Sequence, residues 1–123
     1  LNWASAEMQQ DAVVARESIS RRLGQTDSDD ITLGSTDRIR LLFPESDNPS
    51  QMIEHEFYRD GNRLVYDPDT SVEGDDIILV RGGLDLVAFE VSDESPPKTI
   101  TFTLALAGGE HNTEITNTIK PRN

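Results

Sequence analysis

The chain has 123 residues, 35% of them hydrophobic, and sets 23 acidic side chains against 11 basic ones for a formal net charge of −12. That length supports one domain with its own core but not two. A field this acidic repels phosphate backbones and anionic headgroups, which argues against nucleic acid or a bilayer surface as partner, and the absence of cysteine excludes disulfides, thiolate catalysis and cysteine-ligated zinc.

Met8, Ala12, Ala15, Ile19 and Leu23 recur at spacings of four, three, four and four, which lines them along one face of a helix over residues 1–24. Gln10, Glu17, Arg21 and Arg22 take the opposite face. Glu7 and Asp11 lie early and the arginines late, as the helix dipole favours. Gly24 stands where a left-handed C-terminal cap is expected. The stripe is small in its middle, suited to lying across a sheet. The chain opens at Leu1 without an initiator methionine, so a processed or truncated product is expected.

No helical period follows. Residues 25–30 read as loop, and Ile31 to Leu33 as a short strand broken by Gly34. Arg38 to Phe43 reads as a strand ended by Pro44. Ile53 to Arg59 and Arg63 to Tyr66 flank Asp60-Gly61-Asn62, the clearest hairpin signal of the chain. After an acidic loop from Asp67 to Asp76, Ile77 to Val80 is a short apolar strand, and Arg81-Gly82-Gly83 turns or bulges it. Leu84 to Val91 resumes with Val87, Phe89 and Val91 on one face. Ser92 to Lys98 reads as a turn stiffened by two prolines.

Thr99 to Ala107 alternates Ile100, Phe102, Leu104 and Leu106 inward with Thr101, Thr103 and Ala105 outward. Gly108 to Asn112 reads as a turn, and Thr113 to Ile119 repeats the alternation with Ile115 and Ile119 inward. The expectation is an α+β domain: one N-terminal amphipathic helix packed on an antiparallel β-sheet, with helix over 1–24 and loop and sheet over 25–123.

Little in the sequence carries catalysis. His55 and His111 are the only histidines; His55 reads as a solvated edge-strand residue and His111 as part of a turn. Neither lies in a nucleophile elbow or a zinc-binding helix. No glycine-rich phosphate loop is present, so nucleotide binding has no support. Asp67, Asp69, Glu73, Asp75 and Asp76 concentrate hard oxygen ligands suited to calcium. The EF-hand template fails there, since Val72 falls where glycine is required. A solvated loop is the ordinary alternative, and the metal set to test is Asp67, Asp69, Asp75 and Asp76.

One helix, a loop and an antiparallel sheet, together with Phe57-Tyr58-Arg59, Asn62-Arg63-Leu64-Val65-Tyr66, Leu79-Val80-Arg81-Gly82-Gly83-Leu84, Val87-Ala88-Phe89 and the ending Pro121-Arg122-Asn123, resemble the soluble part of type IV pilin-like minor pseudopilins. The likeness is to the J-type subunit of type II secretion and to PilW-like minor pilins. It implies a pilin-like fold, no enzymatic activity and no cofactor. The implied role is a subunit that starts filament assembly for type II secretion or type IV pili. The implied partners are other pseudopilin or minor pilin subunits, met through Trp3, Met8, Ala12 and Ala15, although that stripe also suits the domain's own core. Anchoring in the inner membrane would come from an apolar helix before Leu1, leaving this domain in the periplasm. The rival expectation is a calcium-dependent β-rich module for carbohydrate or peptide.

Overall fold

The computed structural model describes residues 3–92 and 98–122, with side chains from Ala6 onward. The expected double-proline turn falls largely on 93–97, and the Trp3 side chain and Asn123 likewise lie outside the described residues. Helix α1 runs Trp3–Gln25. Eight strands follow: β1 (Ile31–Ser35), β2 (Arg38–Pro44), β3 (Met52–Asp60), β4 (Arg63–Asp67), β5 (Ile77–Val80), β6 (Leu84–Val91), β7 (Ile100–Gly108) and β8 (His111–Ile119).

The expected α+β layout, a helix on one pilin-like antiparallel sheet, is corrected by this topology. The molecule is mostly β, with two antiparallel sheets, β1-β2-β3-β4-β5 and β6-β7-β8, and α1 packs against strands of both. The division falls at Arg81-Gly82-Gly83. Gly83 has φ 78°, and a Cβ there would stand 2.8 Å from the Ala107 carbonyl oxygen, so only glycine lets the chain pass so close to β7 while changing sheets. What reads as one bulged strand is two strands in different sheets.

The helical stripe lies where its period puts it: Met8, Ala12, Ala15, Ile19 and Leu23 are all buried. They join one core with Ile39, Leu41 and Phe57 of the first sheet and Phe89, Phe102 and Leu104 of the second. Ala12 and Ala15 are small enough for the helix to approach both sheets closely. Gly24 is not the left-handed cap expected of it. The helix continues to Gln25, and the Thr26 hydroxyl donates to the Arg22 carbonyl at 2.6 Å. Gly24 instead packs near Ile119, a Cβ there being 3.9 Å from its methyl.

Of the three two-residue hairpins among the described residues, the Thr36-Asp37 turn between Ser35 and Arg38 has no glycine, and the other two use glycine at positive φ. Asp60 pairs with Arg63 around Gly61-Asn62, with Gly61 at φ 61°. Gly108 pairs with His111 around Gly109-Glu110, with Gly109 at φ 61°. The second turn is shorter than expected, so His111 and Asn112 open β8. The C-terminal end is tied to the helix end: the Ser28 amide donates to the Arg122 carbonyl, and the Arg122 amide to that of Thr26.

Candidate functional site

The acidic loop joins β4 to β5 along the edge of the first sheet. It is built by its own side chains: Asp67 Oδ1 accepts from the Asp69 amide at 3.1 Å, and Asp69 Oδ1 from the Ser71 amide at 2.9 Å and the Ser71 hydroxyl at 2.6 Å. Thr70 ties the loop to β3, its amide donating to the Glu54 carbonyl at 3.0 Å and its hydroxyl to the Glu54 carboxylate at 2.9 Å. Asp67 at the start of the loop and Asp75 and Asp76 at its end come together, with one carboxylate oxygen of each within 4.8 Å of the others.

Asp69 does not join them. Its carboxylate is turned onto Ser71, whose hydroxyl and amide hold its pKa below the ordinary value. The four-aspartate set expected from sequence therefore reduces to three. Within the three, burial pushes Asp67 up from 3.8 to about 6, the nearby Asp76 and Asp75 charges adding to it and the Asp69 amide opposing. Asp75 Oδ1 is shielded from solvent and lacks a hydrogen-bond partner. A protonated Asp67 can donate to Asp75, which is part of what holds the proton there. The Tyr58 hydroxyl donates to Asp76 Oδ2 at 2.8 Å, and burial together with that bond raises Tyr58 to about 12.

The outer face of the first sheet continues from this triad as a charged lattice. Glu56, buried on the middle strand β3, accepts from Arg38 on one carboxylate oxygen and from Arg40 at 2.7 Å on the other. The Arg38 guanidinium also lies 4.7 Å from the Tyr58 ring centre. Together Arg38, Arg40, Glu54, Glu56, Tyr58 and Asp67 line an open hollow of about 500 Å³. Charges there are largely answered by their neighbours, which suits a stable surface more than a reactive one.

His55 is not the solvated edge residue expected. It sits on β3, between β2 and β4, and is half-buried. Its Nδ1 is 2.6 Å from the Tyr66 hydroxyl, the rings stack at 6.0 Å, and Phe43 meets the imidazole edge-on at 5.9 Å. Arg22 from α1 lies over the Tyr66 ring at 4.4 Å, its Nε unbonded. Burial first, and then the Arg22 charge, lower the His55 pKa below 6.5. The imidazole thus bonds a buried phenol rather than a serine or threonine, which is not the arrangement of an activated nucleophile. His111 is exposed at the start of β8.

Met8, Ala12 and Ala15, expected at a partner interface, are instead buried in the domain's own core. The outward helix surface carries Val13 and Val14, 43% and 47% exposed. The pair lies off the periodic apolar stripe, so helical periodicity carries no signal for it. Beside the helix, Asp11 bonds Arg81 at 2.9 Å and its backbone amide at 3.1 Å, tying α1 to the point where the chain changes sheets. Met8, Asp11, Arg81, Gly83 and Gly108 line a cleft of about 380 Å³ there. Comparison with known proteins finds no matching family model, no similar curated protein and no similar solved structure.

Proposed function

We propose that the chain is a non-enzymatic structural subunit that acts in assembling a pilus or pseudopilus, for type II secretion or type IV pili. In this reading other pseudopilin or minor pilin subunits are its partners. An apolar helix preceding Leu1 anchors it in the inner membrane, with this domain on the periplasmic side. The observation that carries the reading is the double use of α1. One face is buried in the domain's own core while the other offers the exposed valines Val13 and Val14, as a helix does when it must also pack against neighbouring helices. A further observation agrees with it: the His55 imidazole bonds the Tyr66 phenol rather than a serine or threonine. No described helix is long and apolar enough to cross a membrane, so the anchor in this reading lies outside the described residues.

The test replaces both valines, V13K with V14K, in the native host. Because both side chains face solvent, the melting temperature stays close to that of the parent, while filament assembly or secretion is lost. Normal assembly by the folded double variant overturns the reading.

A second reading, a calcium-dependent module for carbohydrate or peptide, is favoured by the convergence of Asp67, Asp75 and Asp76 and by the unpartnered Asp75 oxygen. Three carboxylates on a loop suit a hard cation. Calorimetry with calcium separates the two: heat and a raised melting temperature, both lost in D75N, support it, and their absence discards it.

A further inference from the structure

Two sheets present four edge strands, and three are blunted in the ways that prevent stray pairing. β1 has five residues, with an irregular register between Leu33 and Ser35. β5 has only four, and its register with β4 shifts at Leu64 and Val65. β6 is covered, its Leu84 amide donating to the Asn62 carbonyl at 3.0 Å and its Phe89 amide to that of Thr36 at 2.8 Å.

β8 differs. It runs nine residues in unbroken register with β7, and neither proline nor lysine interrupts it between His111 and Ile119. The two-residue turn at Gly109-Glu110 fixes which groups point out. Gly108 and His111 flank it as a hydrogen-bonded pair, so alternate residues from His111 to Ile119 bond β7. Asn112, Glu114, Thr116 and Thr118 therefore turn their amides and carbonyls to the open side. Among the described residues no backbone group outside β7 bonds them. The helix covers the inner face of β8, where Asn117 donates to the Ser20 hydroxyl at 2.9 Å, and leaves this edge open.

Charge decides the occupant. On the outer face Asp85 and Glu114 flank a hollow of about 330 Å³ floored by Ala105. Neither carboxylate has an ion-pair partner among the described residues, and Arg59 engages the Asp85 main-chain carbonyl at 3.1 Å rather than the acid. A second copy pairing through β8 would instead bring together two chains of net charge −12.

The geometry points to β8 as the acceptor of a fourth strand: an extended, basic segment of a partner protein pairs with Asn112 to Thr118 and places a lysine or arginine beside Glu114, reaching toward the hollow that Glu114 shares with Asp85. This goes beyond the filament reading and does not depend on it. The experiment titrates the protein with a peptide as long as β8, alternating threonine and valine around a central lysine, and follows amide exchange by NMR. Saturable protection of the Asn112, Glu114, Thr116 and Thr118 amides is expected, with roughly fivefold weaker binding when the central lysine is glutamate. In T116P, proline replaces an outward amide that bonds nothing in β7, so the spectrum stays folded while protection disappears. Protection that survives in T116P, no protection at any peptide concentration, or equal binding of the lysine and glutamate peptides overturns the proposal. Sedimentation that shows a dimer dissolved by T116P overturns it as well, by assigning the edge to a second copy.

Discussion

The two sheets share one core yet treat their outer faces differently. The five-stranded sheet ties several of its charged groups to one another or to a phenol: Arg38 and Arg40 converge on Glu56, and Tyr58 holds Asp76. The three-stranded sheet faces outward with small residues, its Thr101–Thr118 and Thr103–Thr116 pairs at 2.9 and 3.3 Å; its acids Asp85, Glu90 and Glu114 have no ion-pair partner among the described residues. Close partnering makes a face stable and self-contained, while sparse partnering leaves a face and an edge free to accept something else. The strand-pairing surface accordingly falls on the plainer sheet.

The largest test of the shared core is a matched pair of truncations. F57A in the first sheet and F102A in the second each remove a fully buried ring and should cost about 4 kcal/mol. Denaturation should remain a single transition by circular dichroism in both variants. Two transitions in F102A would separate the sheets. Next in size is G83A, which combines a positive φ with a Cβ 2.8 Å from the Ala107 oxygen. It should cost about 2 kcal/mol, whereas G109A, with open space around its Cβ, carries only the smaller strain of its φ. Equal losses in the two variants would remove the role given to the close approach at the sheet change.

Glu56 sharpens the contrast in charge. E56A removes the acceptor shared by two arginines that are themselves partly exposed, so about 1.5 kcal/mol should be lost. E114A on the other sheet should stay within about 0.5 kcal/mol. The only stabilising effect belongs to Asp67. Its carboxyl ionises near 3.8 in the unfolded chain and near 6 in the folded one, so the folded state binds the proton more tightly. Raising the pH through that window therefore lowers stability, and the penalty is complete above about 6. D67N removes it and should stabilise by about 1 kcal/mol at pH 7.5, after discounting for solvent screening. Its melting temperature should vary less than the parent's between pH 4 and 7.5, a window set by that shift.

The helical stripe was fully legible, because a period of 3.6 over 23 residues has few other readings. The paired strands β3 and β4 and the inward face of β7 were legible for similar local reasons: a Gly61-Asn62 turn and strict alternation. The change of sheet was not. Apolar alternation looks the same whether a strand continues its sheet or enters another, and the deciding contact, Gly83 against Ala107, joins residues far apart in sequence. His55 could have been placed, since the alternation Ile53, His55, Phe57 puts it on the inner face with the core ring of Phe57. Asp69 could have been set apart too: an aspartate two residues before a serine is a local turn signal, and Ser71 is what it binds. The valines on the outward helix face were visible in the sequence but stood outside its periodic argument.

We propose that α1 serves the domain with one face and neighbouring subunits with the other. This is tested most directly by a photo-reactive amino acid at position 14, compared with the same group at position 15, in cells that make the native assembly. Adducts with a helical filament subunit from position 14, with only internal products from the buried position 15, are the predicted result. No adduct from position 14 in assembling cells would contradict it.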